Sequence, residues 1–309
     1  LNATIDRYAY AVISTNHDGV RFVAADINSS IDLPLSDYYE LDGDFQLHKA
    51  VYNHIVKTYN NKQPISLTLT NYCDAPIGSG LGSSSTLVVT MIKAFMEMLN
   101  LPIDDYGLAQ AAFRIERQDC GFQGGRQDQY AATFGGFNYM EFSSNDRAIV
   151  NPLRIKNWII CELEASLLLF YTGVSRESAK IISAQSENVQ EGSESAIDAM
   201  HAIKSEAVQM KECLLKGDFD GIVESMKVGG ENKQKSAALV SNPHINEIYS
   251  AACSAGAKAG KVSGAGGGGF MMFYVSPENR MDVIRSLSRY EGVISNCHFT
   301  KNGAQGWIL

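Results

Sequence analysis

The stretch Ala75-Pro-Ile-Gly-Ser-Gly-Leu-Gly-Ser-Ser-Ser85, with the apolar run Thr86 to Leu99 behind it, constrains this chain more than any other feature. Gly78, Gly80 and Gly82 alternate, so the backbone can take conformations closed to other residues and approach a ligand with no side chain in the way. Ser83 or Ser84 is suited to cap a helix, because its hydroxyl can accept a backbone N–H that the first turn leaves free. The remaining N–H groups and the positive end of the helix dipole then face the loop, the arrangement that holds phosphate. The plain alternative is an ordinary loop-to-helix turn, since glycine and serine are common there. Leu87, Val88, Val89, Met91, Ile92, Phe95, Met96, Met98 and Leu99 make the helix apolar nearly all round, which predicts a central, buried position.

A chain of 309 residues favours two domains over one. Its apolar share of 45% and charged share of 19% are those of an ordinary globular protein. The net charge of −8 argues against a nucleic-acid surface, so an anionic ligand must be held by local N–H groups, cations or metal. The six cysteines form no C-x-x-C pair and read as small buried hydrophobes of a reducing compartment. No histidine or cysteine spacing suggests zinc. No signal peptide or membrane-length apolar run is visible, which predicts the cytoplasm and no membrane partner.

Along the chain, Ile5 to Ile13 and Val20 to Ala24 flank Asn16-His17-Asp18-Gly19 and read as a hairpin. Phe45 to Tyr59 carries a helical stripe, and Ile65 to Thr70 alternates as a strand with one buried face. Asp104 or Asp105 can cap a helix running to about Arg117. The glycine-studded turn Gly121 to Tyr130 feeds a short helix. Helices are expected over Ser175 to Val189, Ser195 to Leu215, Phe219 to about Lys227, His244 to Ala255 and Pro277 to Tyr290. Strands are expected over Phe270 to Val275, Val293 to Thr300 and Gly306 to Leu309.

Three further features bear on chemistry. Gly264-Ala-Gly-Gly-Gly-Gly269 contains G-x-G-x-x-G, yet the dinucleotide fingerprint must open a helix and this one opens a strand. Five glycines there suit a loop pressed against a ligand or another backbone. Glu116 lies near the edge of its helix's apolar stripe; the bland reading is an exposed glutamate paired with Arg114 or Arg117. Asp128 follows Gly124-Gly125 and alone reads as a helix-cap aspartate. Phosphoryl transfer needs a carboxylate on magnesium and often a second to orient or deprotonate the attacking hydroxyl, so the pair fits that chemistry together.

Pro76-x-Gly78-x-Gly80-Leu81-Gly82-Ser83-Ser84-Ser85 resembles the phosphate-binding motif of the GHMP kinases, and Lys261-x-x-Gly264-Ala-Gly-Gly-Gly-Gly269 resembles that superfamily's C-terminal glycine motif. Arg114-Ile-Glu-Arg117, Gly124-Gly-Arg-Gln-Asp-Gln-Tyr-Ala131, Tyr171-Thr-Gly-Val-Ser-Arg176 and Ser241-Asn-Pro243 are most similar to the branch that phosphorylates D-glycero-D-manno-heptose 7-phosphate. The resemblance implies an α+β fold of two domains, 1–156 and a ferredoxin-like 157–309, with the active site in the cleft between them. It implies a cytoplasmic, ATP- and Mg²⁺-dependent sugar-1-kinase that makes the 1,7-bisphosphate for nucleotide-activated heptose and surface glycan.

In that reading Pro76, Gly78, Ser79, Gly80, Leu81, Gly82, Ser83, Ser84 and Ser85 bind ATP, Ser84 and Glu116 hold Mg²⁺, and Asp128 is the base or orienting group. Arg126, Gly173, Ser175, Arg176, Gly264, Ala265, Gly266 and Gly267 serve the sugar phosphate; a planar guanidinium suits a phosphate oxyanion in its own right. The partners are the sugar phosphate and ATP, with a homodimer left open. Relatives begin with a strand carrying a glycine-rich substrate motif that is not present before Leu1, so the N-terminal domain is expected to lack it. Arg126 stands where many relatives carry glycine, which fits an anionic sugar. The rivals are a fucose- or galactose-type sugar kinase, a lyase like diphosphomevalonate decarboxylase, and a non-catalytic sugar-phosphate sensor, the last opposed by retention of Glu116 and Asp128.

Overall fold

The computed structural model describes residues 1–15, 18–76, 78–173, 178–237 and 240–309, the side chains of 178 and 179 excepted. The first half of the chain runs β1 (Asn2–Ala3), β2 (Ala9–Ser14), β3 (Val20–Ala24), β4 (Ser29–Leu33), α1 (Gln46–Tyr59), β5 (Leu67–Cys73), α2 (Ser83–Leu99), α3 (Asp105–Arg114), α4 (Gln127–Phe134), β6 (Phe137–Phe142) and β7 (Ala148–Pro152). The second half runs α5 (Asn157–Ser166), β8 (Leu167–Tyr171), α6 (Ser178–Gln190), α7 (Glu194–Lys216), α8 (Phe219–Ser236), α9 (Pro243–Ser254), β9 (Ala257–Val262), β10 (Phe270–Val275), α10 (Arg280–Leu287) and β11 (Val293–Asn296).

Two compact units result, neither continuous in sequence. The first comprises Arg7–Pro76, Gly82–Gly135 and Lys301–Leu309; the second comprises Leu1–Asp6, Ile77–Leu81 and Gly136–Thr300. This differs from the expected single boundary after residue 156. The reason is strand pairing: β1 joins β6, and β6 joins β7, which draws 136–156 into the second unit with the first residues of the chain.

In the first unit a four-stranded sheet has the order β2-β5-β3-β4. The hairpin expected from Ile5 to Ala24 is therefore not formed. β5 inserts between its two strands, antiparallel to β2 (Ile13 opposite Leu69) and parallel to β3 (Phe22 opposite Leu69). Asn16 and His17 lie outside the described residues. Leu67 and Leu69 alternate into the core with Val20 and Phe22, and the apolar faces of α1 and α2 close over them (Val51, Tyr52, Ile55; Val88, Ile92, Phe95). The all-round apolarity of α2 does correspond to central burial, with seven of its side chains inside.

One ionisable group of this core gives a pH prediction. His48, 5% exposed on α1, donates from its ring Nε2 to Asn71 Oδ1. Burial holds its pKa below the ordinary 6.5, outweighing the opposing influence of Asn71 and Asp26. Between that lowered value and 6.5 the unfolded chain binds a proton that the folded chain refuses, so this stability is complete above pH 6.5 and is lost as pH falls below it. The melting temperature is expected to decline from pH 7.5 to 5.5, with a shallower slope in His48→Gln, which keeps an N–H donor for Asn71. An unchanged slope in the variant would refute the assignment.

The second unit contains the sheets β1-β6-β7 and β11-β8-β10-β9. β8 is apolar on both faces, and its alternation divides two cores. Leu167 and Leu169 pack with Phe270, Tyr274 and residues of α5, α7 and α8; Leu168 and Phe170 pack with Met271, Phe273 and residues of α9 and α10. That four-stranded sheet is antiparallel throughout. α8 runs nine residues beyond the expected Lys227, Val293 to Thr300 is a strand only to Asn296, and Gly306 to Leu309 forms no strand. Those last residues are exposed apart from half-buried Gly306.

All six cysteines are free, but only Cys213 and Cys297 are buried; Cys161 is exposed on α5 and the rest are half-buried. Among the described residues no helix is long and apolar enough to cross a membrane.

Candidate active site

The loop predicted to hold phosphate passes from one unit to the other between Leu81 and Gly82. Within the second unit it lies against the downstream glycine turn. Phe270 N donates to Ser79 O at 2.9 Å, and Cβ atoms built at Gly80 and Gly264 would stand 2.9 Å from Ser263 O and 2.6 Å from Gly80 O. Gly80 and Gly264 both have positive φ, 77° and 61°, so each position requires glycine for conformation as well as for space. The two glycine segments therefore lie together, so the backbone that the second is pressed against is that of the first. The turn Ser263 to Gly269 connects β9 to β10 as a hairpin, which is why the G-x-G-x-x-G match opens no helix. Gly264 is exposed and Ala265 half-buried, whereas Gly266 and Gly267 are buried, Gly267 N donating to Val240 O at 2.7 Å. Gly173 is exposed at φ 71°, beside Thr172, whose N and Oγ1 both donate to Gly269 O. Ser175 and Arg176 lie outside the described residues. Ser79 is fully buried and Pro76 exposed.

Within the first unit the loop opens α2, but not through a serine cap. Gly82, at φ 74°, is the N-cap residue, and its carbonyl accepts from the N and the Oγ1 of Thr86. Ser83 is already helical. The serine hydroxyls are directed elsewhere: Ser84 Oγ donates to Glu116 Oε1 at 2.8 Å and Ser85 Oγ to Glu116 Oε2 at 2.6 Å. A side chain that caps its own helix cannot also serve a carboxylate, and a left-handed glycine frees the serines from capping.

Glu116 is 1% exposed, so the bland reading of an exposed helix-end glutamate fails, although the pairing with Arg117 that it supposed is present at 3.4 Å. It lies on a π-helical turn, Ile115–Asp119, that continues α3. Such a turn re-aims side chains relative to an α-helix and recurs at functional sites. Gln129, fully buried on α4, adds Nε2 contacts to Glu116 Oε2 at 2.6 Å and Ser85 Oγ at 3.0 Å. A buried carboxylate is tolerated only when paired and hydrogen-bonded, and four neighbours supply that here.

Asp128 stands in the first turn of α4, where the helix dipole favours a carboxylate. Its side chain lies on Gly82: a Cβ there would be 3.0 Å from Asp128 Cγ and 3.3 Å from Oδ1. Asp128 and Gln129 are consecutive, so one helix start fixes both the loop-facing carboxylate and a partner of Glu116. Arg126 at the head of α4 is half-buried, its guanidinium 4.7 Å from the centre of the Phe113 ring.

Gln129 carried no role in the sequence reading, and Arg117 stood there only as a possible ion-pair partner of an exposed Glu116. Arg117 donates to the carbonyls of Phe122, Gln123 and Gly125, and a Cβ at Gly124 would lie 2.4 Å from its Cζ. The glycine pair before Asp128 was the available signal: it marks a backbone wrapped round a side chain. For Gln129 the only sign was a polar residue at a position that a helix of this register buries.

These groups suit magnesium. Ser84 Oγ and Glu116 Oε1, 2.8 Å apart, are hard oxygen donors of the kind that would hold a magnesium ion. Among the described residues no cluster of three or more His, Cys, Asp or Glu is found, and magnesium does not ask for one, since it keeps waters and shares substrate phosphates.

Comparison with known proteins bears on this geometry. Residues 46–136 match the GHMP kinases N terminal domain and residues 210–291 the GHMP kinases C terminal. The chain is 45% identical over 310 residues to the D-glycero-alpha-D-manno-heptose 7-phosphate kinase of Campylobacter jejuni, covering 100% of this chain and 91% of that protein. A crystal structure of a D-glycero-D-manno-heptose 1-phosphate kinase from Bacteriodes thetaiotaomicron superimposes with a TM-score of 0.83 at 42% identity, covering 99% of this chain and 89% of that one. The mevalonate kinase of Methanococcus jannaschii shares the fold at 20% identity, with a TM-score of 0.72 over 94% of this chain and 88% of its own.

Proposed function

This chain belongs to the GHMP kinases, phosphotransferases with an alcohol group as acceptor, and from that premise we propose that it phosphorylates the anomeric hydroxyl of D-glycero-D-manno-heptose 7-phosphate, using ATP and Mg²⁺. The observation that carries the reading is a buried Glu116 bound to two hydroxyls of the phosphate-loop helix, with Asp128 held against the loop at Gly82.

Each group then has a task it can perform. Pro76 and Gly78 to Ser85 wrap the ATP phosphates, which the unpaired N–H groups and dipole of the seventeen-residue α2 stabilise. Ser84 and Glu116 would hold Mg²⁺, whose charge offsets that developing on the transferred phosphoryl group. Asp128 accepts a hydrogen bond from the anomeric hydroxyl, orients it and takes its proton as the new P–O bond forms and the bond from the γ-phosphorus to the bridging oxygen breaks, releasing ADP. That hydroxyl is more acidic than an ordinary alcohol, so orientation supplies much of what is needed. Arg126, Gly173 and the exposed start of the Gly264–Gly267 turn receive the sugar phosphate, together with Ser175 and Arg176. Arg126 stacks on Phe113, which fixes the plane of its guanidinium and suits it to a phosphate oxyanion.

A screen of ADP release across sugar phosphates tests the assignment. Heptose 7-phosphate is expected to give the highest kcat/KM, above fucose, galactose and heptose 1-phosphate, with a 1,7-bisphosphate product and no carbon dioxide. Faster turnover of heptose 1-phosphate, or of an unphosphorylated sugar, would overturn it.

A further inference from the structure

The turn from Gly264 to Gly269 contains five glycines in six residues, four of them at positive φ (Gly264, Gly266, Gly267, Gly269). Glycine loses more conformational freedom on ordering than any other residue, so such a segment does not hold one shape by itself. It is held from outside. Gly267 is gripped through both of its backbone groups: its N–H donates to Val240 O at 2.7 Å, and its carbonyl accepts from Asn242 Nδ2 at 3.1 Å. At the exposed end, Lys233 Nζ donates to Gly264 O from the last turn of α8.

These contacts have a directional consequence. A trans peptide is planar, with its C=O and the following N–H pointing opposite ways. A cation fixed on the Gly264 carbonyl therefore turns the Ala265 N–H to the other side. Gly264 and Ala265 are also the part of the turn that solvent reaches, while Gly266 to Gly269 are buried.

We propose that Asn242 and Lys233 are positioning residues for catalysis: they lock the Gly264–Gly267 turn into one conformation and so aim the Ala265 N–H at a phosphate oxygen of the sugar substrate. This rests on the assignment of that turn to the sugar phosphate. Asn242 is suited to a clean test because its two polar atoms do different work. Its Oδ1 accepts from Ile245 N at 3.0 Å and caps α9, while its Nδ2 holds the turn.

Asn242→Asp keeps the cap, and its charge suits a helix N-terminus, but it replaces the donor to Gly267 with an acceptor. The expected result is a rise in KM for heptose 7-phosphate of about tenfold, the effect of one hydrogen bond, with KM for ATP and the melting temperature unmoved. Lys233→Met should act in the same direction and Lys233→Arg should restore the wild-type KM. Unchanged KM values in active Asn242→Asp and Lys233→Met enzymes would overturn the positioning role and leave the sugar-kinase reading intact. A rise confined to KM for ATP, or KM changes that follow the melting temperature across the variants, would overturn it as well. Failure of the wild-type enzyme to use heptose 7-phosphate would instead remove the functional reading on which it rests.

Discussion

Asp128→Asn is expected to lower kcat by about 10²- to 10⁴-fold, the range associated with a positioned general base, while ATP binds with a Kd near the wild-type value. Asparagine matches aspartate in volume, so the contact with Gly82 and the start of α4 survive. What is lost is the capacity to take a proton and the strong charge-assisted hydrogen bond to the acceptor hydroxyl. The nucleotide does not require that carboxylate: its phosphates fall to the loop Gly78 to Ser85 and to the helix start behind it. Steady-state kinetics at saturating sugar phosphate, paired with calorimetric titration of ATP, separates the two effects. Normal turnover in the variant would reject Asp128 as the base, and loss of ATP binding would show that its role is structural.

Glu116→Gln is expected to raise the Mg²⁺ concentration for half-maximal activity by at least roughly tenfold, since even changes beyond the ligand shell cost 10–100-fold in metal affinity. Magnesium favours hard anionic oxygen, and a neutral amide offers one weaker acceptor. The same change leaves Ser84, Ser85, Gln129 and Arg117 directed at a group that can no longer accept from all four. Stability should therefore fall too, by about 1–3 kcal/mol, the cost of leaving buried polar partners unsatisfied. A magnesium titration with a thermal melt on the same preparation reads both quantities. An unchanged titration in a destabilised protein would assign Glu116 to the scaffold alone.

Much of this was legible before any coordinates. α2, the strand before it and the glycine hairpin near the C-terminus follow from residue spacing, because burial of one face or of all faces leaves a period that can be read locally. Asp104, one of the two aspartates expected to cap α3, does so. The failures have a common origin in partners distant along the chain. β2 and β3 look like a hairpin because a turn sequence separates them, but the better partner for both is β5, more than forty residues on. Ser83 and Ser84 look like caps until Gly82 takes the cap position and Glu116 takes the hydroxyl of Ser84. Glu116 looks exposed until Arg117, Gln129 and the two serines gather round it.

Local pattern was enough for the loop, the helix it opens, the hairpin glycines and the residue types of a phosphotransferase, because each depends on backbone freedom and periodicity within a dozen residues. Only the folded chain settles which strand separates β2 from β3, that a glycine rather than a serine caps α2, and that Gln129 and two serines bury Glu116. Those outcomes depend on which polar group gains most from burial beside another, a comparison of free energies between distant segments that no local pattern encodes.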